Sequence, residues 1–469
     1  MKKRISIILV IALCISILST LASCTPDSEK TKPIAPPTIN GTELKDFVIV
    51  YDEQGLDYNK RAAEFIKNTT RERYNIELEI IDDDTEKRTH EIVVGETSRA
   101  ISESLNAETV GFEFAIMASE GHVALEGDYF VIAAAAYFFM ETYASGDGQR
   151  VSIPESASVH KPITKEAKNF ILLIGDGMGV NQTLIFDYLE NDVPYGDGED
   201  FFYGYLFPYM GMSRTDSLTG TTDSAAGGTA LACGVKTYNE YIGLDKDMNP
   251  VKSLTELASE RGMAAAVMST EIENGATPAS FSAHASSRHS QGEILRSILA
   301  TQEKYGTIVE CGFDYYKADY MPTIEGKIEE TLNSVSANEK GFFLMYEEAH
   351  IDKNCHSNSL EGVLKTVVRF NQAIARFMEF AFYNPDTLVL ITADHETGAL
   401  LPDGNGSLAF NSEDHSSADV QIFAYGHGAE LFSNVNIENI QIAHTIAALM
   451  GEDNFGDQSV YQSLTKGNK

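Results

Sequence analysis

Four apolar runs in this sequence are each followed by residues that bind metal or phosphate. FILLIG is followed by Asp176. AAAVMS is followed by Thr270, Glu271 and then Thr277-Pro278. GFFLMY leads to Glu347 and, shortly after, Asp352 and His356, while TLVLIT leads to Asp394 and His395. Taken singly, a carboxylate after a strand is a helix cap and an Asp-His pair is a turn; the recurrence at four run ends points to chemistry. Carboxylates mixed with imidazoles suit zinc, which takes His nitrogen and Asp or Glu oxygen. The 352/356 spacing puts both side chains on one face of a helical turn, as chelation of one ion requires. Glu347 and the Thr277 hydroxyl are all-oxygen ligands better matched to magnesium. Two metals close together would clamp the attacking and leaving oxygens of an in-line displacement at phosphorus.

The nucleophile candidate is Ser224, in Thr222-Asp223-Ser224-Ala225-Ala226-Gly227-Gly228. The small, Ala-rich stretch from Ser224 to Cys233 predicts a tightly packed helix with Ser224 at or near its N-cap. A helix N-terminus directs N–H groups and a positive dipole end at an anion. The segment alone fits a plain capped helix equally well. No Gly-x-Ser-x-Gly elbow occurs, so activation by metal is a more natural reading than a Ser-His-Asp triad. Arg288, expected on a helix after the Thr277 segment, offers a planar fork for two phosphate oxygens.

The elements that must position these residues read as alternating strands and helices. Near-unbroken apolar runs bounded by turn residues are buried parallel strands. The expectation is an α/β fold, a doubly wound and mostly parallel sheet flanked by helices, with ligands beyond the carboxyl ends of the strands. This unit spans 165–469. Before it, residues 44–160 predict a small α/β accessory domain. Its strands are FVIVYD, IELEII, HEIVVG, FEFAIMAS and HVALEG, and its helices run from Tyr58 to Tyr74 and from about Tyr129 to Tyr143. It holds no dense set of catalytic residue types and reads as a packing or attachment module.

The N-terminus predicts targeting. Lys2, Lys3 and Arg4 precede an apolar run to Leu18, then Leu21-Ala22-Ser23-Cys24, a signal peptide over residues 1–23. The ending resembles a bacterial lipobox, which implies lipidation of Cys24 and attachment to a membrane surface without spanning it. Residues 24–43, polar and Pro-rich, read as a flexible tether. An extracytoplasmic lipoprotein is therefore expected. Of the remaining cysteines, Cys233, Cys311 and Cys355 are odd in number and demand no disulfide.

Thirty-five basic residues against 69 acidic ones give a net charge of −34. Cleavage before Cys24 leaves 32 against 69, or −37. Such a field repels nucleic acid and offers no general attraction to a phosphate substrate, so bound cations must reverse the sign locally.

Six segments in order resemble the alkaline phosphatase family: FILLIGDGMG, TDSAAGGTALACGVKTYN, ATPASFSAHASSR, GFFLMYEEAHIDKNCH, LVLITADH and EDHSSADVQIFAYG. They cover most of residues 168–450. The resemblance implies a phosphomonoester hydrolase with two Zn2+ and one Mg2+. One zinc would take Asp352, His356 and His415, and the other Asp176, Asp394 and His395. Magnesium would take Asp176, Thr277 and Glu347. Ser224 would form a phosphoserine with Arg288 on the non-bridging oxygens, and water would then release phosphate. By the same resemblance Asp223 orients the Arg and Lys353 is a phosphate-proximal Lys.

Two departures stand out. Gly275 replaces an Asp or His found in relatives two residues before Thr277, which leaves the identity of the third metal open. The catalytic part is also short, so a homodimer is allowed but not required. Two alternatives compete: a phosphodiesterase or phosphonate hydrolase of the same superfamily, and a non-catalytic surface protein binding glycans or metal. Arg288 speaks against the first, because it takes the space and charge that a second ester group needs. The retained ligand set speaks against the second.

Overall fold

A computed structural model of the chain describes residues 34–105, 107–188, 201–312 and 320–466, with backbone alone at 320–323. The predicted signal peptide, Cys24 and the first part of the tether lie outside the described residues.

The apolar runs form one eight-stranded sheet. Its order is Ile308–Cys311, Ala264–Ser269, Phe342–Glu348, Asn169–Gly175, Thr387–Thr392, Val420–Tyr425, Tyr209–Arg214 and Asn436–Glu438. The first five strands are mutually parallel, and Val420–Tyr425 runs antiparallel to both of its neighbours. Every residue of the Asn169–Gly175, Phe342–Glu348 and Thr387–Thr392 strands is buried. This is why they read as continuous hydrophobics rather than alternating ones. Helices cover both faces. Leu360–Tyr383 packs with the core that includes Ile171, Leu344 and Val389, whereas Ser224–Cys233, Leu254–Glu260 and Ile440–Leu449 share the other core with Leu172, Met345 and Leu390. The expected doubly wound α/β architecture is observed.

Register brings the chemistry to one edge. Ser269, Glu347, Ile174 and Thr392 lie level across the four parallel strands. The chain that leaves each of them enters the same crevice beyond the strand ends.

A separate six-stranded sheet occupies the chain before His160, in the order Ile80–Asp82, Val48–Tyr51, Glu91–Val94, His122–Glu126, Phe114–Ser119, Ser158–His160. Only the end of the predicted IELEII run pairs as a strand. The helix expected from Tyr129 to Tyr143 begins with a 3-10 turn and widens into a π turn over Phe139–Tyr143. This unit packs on the Leu360–Tyr383 helix. Phe65 stacks on Tyr383 at 4.1 Å between ring centroids, and Phe112 meets Phe207, Phe382 and Tyr425 edge-on. Arg61 donates to Glu379 at 2.7 Å, and Arg376 bridges Glu325 and Glu379. Cys233, Cys311 and Cys355 are free thiols. Among the described residues, no helix is long and apolar enough to cross a membrane.

Candidate metal centre

The short His350–His356 helix delivers the first cluster. Asp352 and His356 share a face, and His356 Nε2 lies 3.3 Å from Asp352 Oδ2. His415 joins them through a two-residue ladder that pairs it with Thr397, placing its Nε2 3.5 Å from Asp352 Oδ1 and 3.2 Å from His356 Nε2. The other ring nitrogens face carbonyls, His415 Nδ1 to Thr222 O at 2.9 Å and His356 Nδ1 to Glu413 O. A carbonyl partner requires Nδ1 to carry the proton, so each Nε2 presents a lone pair. Two lone pairs and a carboxylate turned on one point are completed by a cation. Without one, a proton substitutes: the hydrogen bond to Asp352 raises His356 to about 9. Burial works to raise Asp352 itself, but its bonds to His356 and His415 hold it well below the usual range.

The second cluster surrounds His395, whose ring stacks on His415 with centroids 3.7 Å apart. Its Nε2 lies 3.2 Å from Ser224 Oγ, 3.5 Å from Asp176 Oδ1 and 3.3 Å from Asp394 Oδ2. A catalytic triad would need a carboxylate at Nδ1; among the described residues Nδ1 instead meets the Thr397 hydroxyl, at 3.2 Å. Burial and the neighbouring His415 hold His395 well below 6.5, so the imidazole is neutral, as a ligand must be. Asp176 Oδ1 and Asp394 Oδ2 are buried without a hydrogen bond of good geometry. Burial first, then the mutual repulsion of the carboxylates, raises Asp176 strongly and Asp394 to about 7. Such atoms fit divalent cations and little else.

The third corner holds Glu347 and Thr277. Burial lifts Glu347 to about 8, against a hydrogen bond from the Ser269 hydroxyl. The Thr277 hydroxyl lies close enough to lower Glu347, yet makes no hydrogen bond of good geometry.

Ser224 is the first residue of its helix rather than the cap. Asp223 is the N-cap, and its Oδ1 accepts from Ala226 N at 3.0 Å. Its Oδ2 accepts from Glu240 N at 3.0 Å and from Arg288 Nη1 at 3.2 Å. One carboxylate therefore fixes both the helix start and the guanidinium. Arg288 lies in a turn, not on a helix, and its own N–H donates to Glu240 O at 2.8 Å. Close approach needs small residues: a Cβ on Gly227 would stand 2.9 Å from Asp394 O, and one on Gly228 3.3 Å from Thr277 Cα. Gly177 adopts φ +74°, with Asp352 Cα 2.8 Å from where its Cβ would be.

The structure thus gathers Asp176, Ser224, Asp352, His356, Asp394, His395 and His415 directly, with Glu347 and Thr277 as the adjoining corner. Lys353 turns to Glu271 instead, with Nζ–Oε2 at 2.6 Å. Thr397 was not read from the sequence. It donates to Asp352 Oδ1 at 2.5 Å while meeting His395 Nδ1, so it joins the two clusters; its place two residues after His395 was the available signal.

The alkaline phosphatase family model matches residues 167–310 and 312–409, which is more than half of the chain and every ligand named above except His415. The chain belongs to the alkaline phosphatase family. It is a phosphatase, a hydrolase whose site binds metal. Alkaline phosphatase 4 of Bacillus subtilis is 30% identical over 340 residues, 61% of this chain and 73% of that one. The Escherichia coli K12 alkaline phosphatase is 25% identical over 432 residues, 66% of this chain and 91% of its own. The alkaline phosphatase of the Antarctic bacterium TAB5 superposes with a TM-score of 0.54 at 26% identity, covering 63% of this chain and all of that one.

Proposed function

We propose that the protein is a phosphomonoesterase that works through a phosphoserine on Ser224, lipid-anchored outside the cytoplasm through Cys24. The observation that carries this reading is the position of Ser224 Oγ, buried at a helix N-terminus and 3.2 Å from His395 Nε2 within the ligand cluster.

Asp352, His356 and His415 would hold one zinc, Asp176, Asp394 and His395 the second, and Asp176, Thr277 and Glu347 a magnesium. Two structures of TAB5 alkaline phosphatase variants, each 26% identical with TM-scores of 0.52 and 0.53, are described with Mg bound in the M3 site, which supports an ion of that kind at a third site. When bound, the ions supply the positive charge that lowers the Ser224 pKa and stabilises the attacking and leaving oxygens.

The chain's own residues do the rest. The helix N-terminus directs its first-turn N–H groups at the phosphoryl oxygens. Asp223 holds one arm of Arg288 and leaves the remaining donors for two non-bridging oxygens, which fixes phosphorus in line with Oγ. Oγ attacks phosphorus as the ester P–O bond breaks, and the proton that Oγ gives up passes through solvent to the departing oxygen, which leaves as the alcohol. Water then cleaves the phosphoserine and frees phosphate. A monoester has three free oxygens and can give two of them to Arg288, whereas a diester has only two and brings its second ester group against the guanidinium.

The test compares a chromogenic monoester and diester with the same leaving group, before and after chelation. Faster monoester release that chelator abolishes and zinc plus magnesium restores supports the proposal. Equal or faster diester hydrolysis contradicts it.

A further inference from the structure

The segment between the Ala264–Ser269 strand and the Ala276–Ser282 helix folds a carboxylate over a glycine. A Cβ built on Gly275 would lie 2.1 Å from Glu271 Cγ and 3.1 Å from its Cδ. Gly275 has φ −58°, which any residue adopts, so the glycine is required for space and not for backbone freedom. The Glu271 side chain occupies that space. From there its Oε2 reaches Lys353 Nζ at 2.6 Å. Lys353 directly follows Asp352 in the His350–His356 helix, and Gly275 immediately precedes the helix that carries Thr277. One carboxylate therefore links the Thr277 corner to the helix bearing the first cluster.

The pair is not built for stability. Its side chains are 44% and 27% exposed, and ion pairs so open to water contribute little. Its consequences are positional: a negative charge beside the Glu347–Thr277 corner, where the Glu271 N–H donates to the same Ser269 hydroxyl that donates to Glu347, and a lysine held at the rim by a partner.

We infer that Glu271 is a positioning residue of the metal centre, favouring a divalent cation at the Glu347–Thr277 corner and restraining Lys353 from closing on substrate phosphate. This rests on the site being the metal-dependent phosphatase centre proposed above. Gly275 and Glu271 form one device, in which the absent side chain makes room for the carboxylate four residues earlier.

The experiment titrates zinc-loaded protein calorimetrically, first with Mg2+ and then with inorganic phosphate, so that neither readout depends on turnover. E271Q keeps the side-chain volume and removes the charge. It is expected to weaken Mg2+ binding by about tenfold or more, the usual scale for groups behind metal ligands, and to tighten phosphate binding several-fold. The exchange variant E271A/G275D returns a carboxylate to the same volume from the other position and is expected to restore most of the Mg2+ affinity, which a merely structural role would not do. Unchanged Mg2+ and phosphate constants in E271Q, or no recovery in the exchange variant, overturn the inference. Wild-type protein that takes up no divalent cation overturns the functional reading itself, and this inference with it.

Discussion

Removing the metals should make stability fall with pH in a way the loaded protein does not share. Glu347 is raised from 4.5 to about 8 and Asp394 from 3.8 to about 7, with burial the largest cause in each. A carboxyl group whose pKa is higher folded than unfolded binds more protons in the folded state. Its contribution is complete below the unfolded value and is lost as pH rises through the folded one. The informative window is pH 6.5 to 8.5, because the opposite effect of His395, lowered from its ordinary 6.5, is mostly complete once pH passes that ordinary value. At ~1.4 kcal/mol per pH unit, charging Glu347 across that window costs about 2 kcal/mol and Asp394 about 1. Asp176 and His356, both raised, act in the same direction. A loss of about 3 kcal/mol corresponds to roughly 6 °C at ~2 °C per kcal/mol for a domain of this size. Thermal unfolding of chelator-treated and metal-loaded protein, measured side by side across the window, isolates the site, since every other titrating group is common to both. The metal-free melting temperature should drop by at least that amount relative to the loaded one. Parallel curves, or a metal-free curve that rises, would refute the assignment of these carboxylates as cation ligands.

Three substitutions probe the supports around the ligands. Thr397→Val removes the hydroxyl that joins Asp352 to His395 and should weaken zinc retention ~10–100-fold in a chelator competition; unchanged retention would show that the link is idle. Arg288→Ala should lower kcat/KM for a monoester by about 30–100-fold, the loss of a charge-assisted fork on the phosphoryl group, with a smaller loss for a diester, so a uniform loss on both would tell against its placement. Gly177→Ala forces a Cβ toward Asp352 at φ +74°, and should cost about 1–3 kcal/mol of stability while lowering the metal content found by elemental analysis.

How much of this was legible follows from the range of each interaction. The buried parallel strands read as unbroken apolar runs, and the ligands lie within a few residues of their ends, so local pattern carried them. Asp352 and His356 share one helical turn and could be paired by spacing alone. His415 could not. It reaches the site through a two-residue ladder with Thr397 that closes the excursion over residues 398–414, and polar loop residues carry no period that announces such a pairing; only the family resemblance supplied it. Arg288 was misread as helical because Ser and Ala around it tolerate helix. Tertiary bonds decide otherwise: Ala285 bridges Ile242, and Arg288 N–H donates to Glu240 O. The Gly275 position looked like a lost group. Only the position of Glu271 in space shows what occupies it.

Ser224 is the residue on which the covalent mechanism depends. Acid quenching during monoester turnover, followed by peptide mass spectrometry, should find phosphate on the peptide that contains Ser224, and Ser224→Ala should abolish both that signal and burst release of the alcohol. A bare Ser224 while hydrolysis proceeds, or ordinary turnover by Ser224→Ala, would contradict the covalent mechanism and the assignment of this residue as the nucleophile.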